Sequence, residues 1–159
     1  MKNIVSKFQN TDPEFAELIQ NFACDEVVNN DDLDDHTRMI AVLSTLIGSQ
    51  SVDAFKEMLG YALETGVTPV EVKEIVYQAA AYLGLGRVFL FLACTNDVLE
   101  KQGVQLPLEG QATTNPSDRL EKGEQTQVDI FGDQMRGFSQ SDPEESRHIN
   151  KWLSDNCFG

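Results

Sequence analysis

Three cysteines, two histidines and three tyrosines are among the side chains able to do chemistry here. Cys24, Cys94 and Cys157 are far apart and odd in number, which argues against a disulfide framework and against a C-x-x-C zinc or redox site. Small, buried or half-buried apolar positions suit them. Cys157 has only His148 as a nearby partner, so it is a reactive thiol if exposed and an apolar position of a helix otherwise. His36 lies in an acid run, but no second histidine is close and no glycine-turn calcium loop surrounds it, so a solvated helix start is favoured over a metal site. Arg38 either pairs with Asp34 and Asp35 or faces a carboxylate ligand. Tyr61, Tyr77 and Tyr82 either line a pocket or sit buried with one hydrogen-bond partner each. Ser51 lacks the sequence-adjacent base a nucleophile needs, and helix capping ahead of Val52 is its expected role.

These residues hang on helices. Helix-start and helix-stop signals recur along the chain, while sustained two-residue alternation with hairpin turns does not, so the expected fold is all-α. Asp12-Pro13-Glu14 reads as a cap, an N1 proline and an early acid, followed by Phe15, Leu18, Ile19 and Phe22 on one face. The acid run from Asp31 to Asp35 places negative charge at the start of a largely buried helix through Met39, Leu43 and Ile47 that ends near Gly48. Phe55, Leu59, Ala62 and Leu63 mark the next helix, which stops at Gly66. Thr68-Pro69-Val70-Glu71 has the spacing of a capping box and starts a helix that buries Val72, Ile75, Val76 and Leu83. Gly84 and Gly86 break it, and another helix is expected from about Arg87 to Gln102.

Residues 1–104 therefore form a first domain, and the proline- and glycine-bearing stretch 105–116 reads as a linker. Residues 117–159 then begin a second, incomplete copy or a C-terminal helical extension. In that part Ser117 is the expected cap of a helix from Leu120 to Phe131, and Asp142-Pro143-Glu144 starts one more. An internal repeat supports the copy, because Phe8-Gln9-Asn10-Thr11-Asp12-Pro13-Glu14 lines up with Phe138-Ser139-Gln140-Ser141-Asp142-Pro143-Glu144. At the same spacing Ile19 meets Ile149 and Phe22 meets Trp152, so one apolar stripe is kept.

Acidic residues outnumber basic ones 26 to 12, giving a net charge of −14 and a pI near 4.3. That sign repels a phosphate backbone or an anionic bilayer, so neither nucleic acid nor a membrane surface is an expected partner. The longest apolar runs fall far short of the roughly 20 residues needed to span a bilayer, and MKNIVSKFQN has no secretory h-region. The expected location is the cytoplasm.

From Leu33 to Gly103 the chain resembles the carboxymuconolactone decarboxylase family, which includes the alkyl hydroperoxidase D-like proteins. The carriers are LDDHTRMIAVLSTLIG and ALETGVTPVEVKEIVYQAAAYLGLGR, where the family has a Leu-x-x-x-x-Arg start, an Ala-Gly-Val-Thr-x-x-Glu-Ile-x-Glu turn and an Ala-x-Tyr-x-Gly-x-Pro ending. Tyr82 matches the family's tyrosine, and Gly86 stands where the proline is usual. RLEKGEQTQVDIFG, Arg119 to Gly132, also resembles the family's leading helix, which favours a tandem protein whose second unit has only begun. The resemblance implies an all-α fold of helical hairpins assembled into trimers or hexamers.

In the hydroperoxidase branch, the resemblance implies a glutamate after the arginine, a C-x-x-C pair, and a histidine four residues beyond it. A thiolate attacks the peroxide, the second thiol resolves it to a disulfide, and Glu and His move protons. Those four positions fall on Met39, Ser51, Ala54 and Met58. Thioethers fill core gaps and shuttle no protons, so the two methionines read as core. The leading expectation is thus a catalytically degenerate, oligomer-forming unit with no cofactor and no metal. The alternatives are a residual thiol peroxidase or lactone decarboxylase using groups from another subunit, and a non-enzymatic scaffold binding a small apolar or carboxylate molecule. Arg38 and Tyr82 are the candidate binding residues.

Overall fold

The computed structural model describes residues 5–30, 32–141 and 143–159 and contains helices but no strand among them. The chain divides into two units, Met1–Leu108 and Glu109–Gly159.

In the first unit, α1 (Pro13–Ile19) runs on as a π-helical stretch, Gln20–Glu26, and a last α turn, Val27–Asn29. Asp12 occupies the N-cap position as expected, yet its side chain caps nothing and instead accepts the Thr11 hydroxyl at 2.7 Å. Only Ala16 of α1 is buried, and Phe15, Leu18 and Phe22 are 57%, 61% and 55% exposed. The apolar stripe read from the sequence is therefore present and uncovered.

Four longer helices make the core: α2 (Asp35–Gly48), α3 (Val52–Glu64), α4 (Pro69–Leu83) and α5 (Leu85–Lys101). They pack as two stacked hairpins, α2 against α3 and α4, and α5 against the same two. Met39, Leu43 and Ile47 fall four residues apart and so share one buried face of α2. Phe55, Leu59 and Ala62 of α3, Val72 and Val76 of α4, and Phe91 and Leu99 of α5 are fully buried with them. Phe55 and Phe91 meet edge to face with ring centroids 5.2 Å apart, which locks α3 to α5.

Local chemistry sets the helix ends. Asp34 caps α2 by accepting the Thr37 N–H at 2.7 Å. At α4 the capping box is complete: Glu71 N–H donates to Thr68 Oγ1 at 3.2 Å, and Thr68 N–H donates to Glu71 Oε2 at 2.7 Å. Gly84, at φ 80°, supplies the left-handed residue that breaks α4 from α5. The chain re-enters helix at Leu85 rather than Arg87, so Gly86 lies inside α5: one residue of glycine geometry suffices for the break.

The second unit holds α6 (Arg119–Phe131), two 3-10 turns (Asp133–Met135 and Phe138–Gln140) and α7 (Arg147–Leu153), which continues as a π-helical stretch, Ser154–Phe158. Ser117 does not cap α6. Its hydroxyl donates to Asn115 Oδ1, Asp118 takes the N-cap position, and the helix starts at Arg119. Asp142 lies outside the described residues, and α7 starts four residues past Pro143, because a turn in which Ser146 N–H and Arg147 N–H both donate to the Pro143 carbonyl comes first. At the repeat's offset of 130, this π stretch falls on residues 24–28, overlapping the one after α1.

α6 and the end of α7 approach so closely that a Cβ on Gly123 would lie 1.9 Å from the Ser154 carbonyl oxygen. The interior here is polar. Gln127, Ser139, Asn150 and Ser154 are buried, with the Ser154 hydroxyl donating to Gln127 Oε1 at 2.6 Å. Ile130, Phe131, Ile149, Trp152 and Leu153 all remain exposed.

Candidate functional site

The four positions singled out for chemistry sit on α2, on α3 and in the turn that joins them. Met39 is 4% exposed and Met58 3%, and both are part of the core formed by Leu43, Ile47, Phe55 and Leu59. Ala54, half-buried, brings a methyl group and no polar atom. Ser51 stands at the N-cap position of α3, but its side chain makes no cap bond. Its hydroxyl meets Ser49 Oγ at 3.1 Å instead, so the expected capping role is corrected: the preceding turn offers a nearer partner than the helix N–H groups. Neither an acid, a base nor a thiol stands at any of the four.

The cysteines do not assemble. Cys94 is buried on α5, and burial pushes its thiol pKa up, against formation of the thiolate. Cys24 is half-buried in the π-helical stretch after α1, and Cys157 is half-buried in the one after α7.

Arg38 lies at the start of α2 with its guanidinium on the Asp35 carboxylate and, at 2.6 Å, on the Leu33 carbonyl. Those two contacts hold it against its own helix start. His36 Nε2 lies 3.0 Å from Glu71 Oε1, tying the start of α2 to the start of α4. Glu71 is held below the ordinary carboxylate pKa, first by the Thr68 N–H, then by the Thr68 hydroxyl, with His36 adding less. Asp34 is likewise lowered, chiefly by the Thr37 N–H it caps. This cluster does structural work at two helix N-termini.

None of the tyrosines is buried: Tyr61, Tyr77 and Tyr82 are 43%, 50% and 74% exposed. Tyr82 borders a mostly apolar groove of about 550 Å³ between α2 and α4, lined by Ile47, Ile75, Ala79 and Leu83 with Ser44, Glu74 and Gln78 as its polar side chains. Arg38 is not among the lining residues, so the two candidate binding residues are not brought together. A feature the sequence reading passed over is Lys73, buried on α4, whose ammonium donates to Asn96 Oδ1 on α5 and lies 5.9 Å from the centroid of the Tyr77 ring. Burial lowers its pKa. A lysine inside an apolar helical stripe was the only available signal.

A model of the carboxymuconolactone decarboxylase family matches residues 13–97, more than half of the chain. The chain belongs to this family. No curated protein and no solved structure matches it. Family membership takes in α1 as well as α2 to α4 and most of α5, so the helix with the uncovered stripe is part of the family's own extent. No helix among the described residues is long and apolar enough to cross a membrane.

Proposed function

We propose that this carboxymuconolactone decarboxylase family chain has given up the family's catalysis and works as an assembling unit, forming a trimer or hexamer in the cytoplasm. The observation that carries this reading is the burial of Met39 and Met58 in the core. A glutamate or histidine at either position would have to sit among Leu43, Phe55 and Leu59, where an uncompensated charge is strongly disfavoured. Ser51 and Ala54 supply no thiol, and Cys94 is held in its unreactive form by burial. The uncovered apolar side chains of α1 and α7 support assembly, because contiguous exposed apolar surface marks contact sites.

The test is thiol-coupled turnover of an alkyl hydroperoxide, run beside lactone decarboxylation, on the purified chain and on a variant with all three cysteines replaced by serine. Turnover at the reagent background in both proteins is expected. Turnover by the wild type that falls in the cysteine variant would establish the residual peroxidase instead, and decarboxylation above background would establish the residual decarboxylase.

A second reading, a small-molecule scaffold, is favoured by the groove beside Tyr82. Its volume suits a compact apolar ligand with a few polar anchors. With the neutral fluorophore N-phenyl-1-naphthylamine as probe, Ala79→Phe fills the groove and is expected to weaken binding at least several-fold. Unchanged binding would remove the groove from consideration.

A further inference from the structure

We propose that the groove between α2 and α4 takes an amphiphilic cation, an alkyl ammonium whose charged head meets Glu74 and whose chain lies on the apolar walls. This rests on the small-molecule reading above and names the charge of the ligand.

Among the described residues Glu74 is the only lining residue with a formal charge, and no lysine, arginine or histidine borders the groove. Its carboxylate makes no ion pair among the described residues. Lys73, one residue earlier on the same helix, donates to Asn96 on α5 instead. Ile47, Ile75, Ala79 and Leu83 supply the apolar surface. A ligand cation therefore finds an acid beside apolar walls with no protein cation competing for it. Glu74 is itself exposed, so the attraction is worth a few-fold in affinity rather than orders of magnitude.

The backbone favours the same sign. Ile47 and Gly48 are the last two residues of α2, and Tyr82 and Leu83 the last two of α4. The negative ends of two helix dipoles thus border the groove, and neither helix has a basic residue in its last turn to offset them. An ammonium is favoured there and a carboxylate opposed. Tyr82 adds an aromatic ring, whose face also attracts a cation. Arg38, the residue suited to a carboxylate, is held at the other end of α2 on Asp35 and Leu33.

Three probes with the same octyl chain separate charge from apolar fit: octylamine, protonated at neutral pH, octan-1-ol and octanoate. Each competes with N-phenyl-1-naphthylamine for the purified chain, and displacement is read from the loss of its fluorescence. Octylamine is expected to displace the fluorophore at a concentration several-fold below octan-1-ol, with octanoate the weakest. Glu74→Gln is expected to weaken octylamine about two- to fivefold while leaving octan-1-ol unchanged. A chain with net charge −14 attracts cations over its whole surface. Glu100→Gln on α5 controls for this, since it removes the same charge from an exposed position outside the groove and is expected to leave all three probes unchanged. Both variants should keep wild-type helical content by circular dichroism.

Equal displacement by octylamine and octan-1-ol, or octanoate ahead of both, would overturn the cation and leave the small-molecule groove intact. A preference for octylamine that survives Glu74→Gln, or that falls equally in the Glu100 variant, would overturn the head-group contact. Fluorophore binding that Ala79→Phe leaves unchanged would remove the groove itself, and both readings with it.

Discussion

At the scale of single residues, Met39 and Gly123 show how tightly the neighbouring atoms limit what a position can hold. Replacing Met39 by the glutamate common in the hydroperoxidase branch would place a carboxyl group at a 4% exposed site among aliphatic side chains. Burial raises a carboxyl pKa in the folded state, so the penalty is complete above the folded pKa and fades as pH falls toward the unfolded one. Met39→Glu is therefore expected to lose on the order of 3 kcal/mol at neutral pH and distinctly less near pH 4, measured by urea unfolding at the two pH values. Equal losses at both pH values would mean the carboxylate has found water or a cation. Gly123→Ala tests the other case. A methyl group 1.9 Å from the Ser154 carbonyl oxygen meets backbone, which moves only if the helices part. A destabilisation of roughly 1–3 kcal/mol is expected, with hydrogen exchange accelerated in α6 and α7 and unchanged in α2 to α5. Cys94, buried and with its thiol pKa raised, should be alkylated by iodoacetamide more slowly than Cys24 or Cys157 in the folded protein, and at a comparable rate in denaturant.

At the scale of elements, capping decides where helices begin. Thr68→Ala removes a hydroxyl that both accepts from Glu71 N–H and supports the Glu71 carboxylate, and about 1 kcal/mol of stability should go with it, read from thermal unfolding. The folded pKa of Glu71 is depressed below its ordinary 4.5. Its stabilisation is thus fully present above that value and lost as pH falls through the folded pKa. Glu71→Gln should accordingly differ from wild type at pH 7 and converge with it in acid; a gap that persists in acid would assign the effect to packing. That capping box was legible in the sequence because donor and acceptor lie three residues apart, as were the stripes of α2 to α4 and the stops at Gly48 and Gly66. Ser51 and Ser117 were misread for a shared reason. Each has a hydroxyl with a competing partner in the preceding turn, and which partner wins depends on backbone geometry that residue types leave open. The groove beside Tyr82 was not legible either, since it arises from the spacing of α2 and α4 rather than from any motif. Tyr82 itself was singled out, but only through the family resemblance.

At the scale of the whole molecule, the two units differ in what holds them. The first has a connected apolar core spanning four helices. The second is only 51 residues long, Glu109–Gly159, and its buried residues are glycine, amide and hydroxyl side chains. Small units need a dense apolar core or a staple, and the described residues of this one show neither. Residues 1–108 expressed alone should unfold cooperatively, whereas 109–159 alone should give weak helical signal and no cooperative transition by circular dichroism. A sharp transition in the shorter piece would show that its polar network suffices. The polar interior has a thermodynamic signature as well. Unfolding raises heat capacity in proportion to the apolar surface it exposes and lowers it for polar surface. A chain that keeps about a third of its length around Gln127, Ser139, Asn150 and Ser154 should release less heat capacity per residue than the usual 12–15 cal/mol/K, roughly speaking. Its stability would then vary gently with temperature, with a broad plateau where a chain of the same length with an oily centre has a sharp optimum.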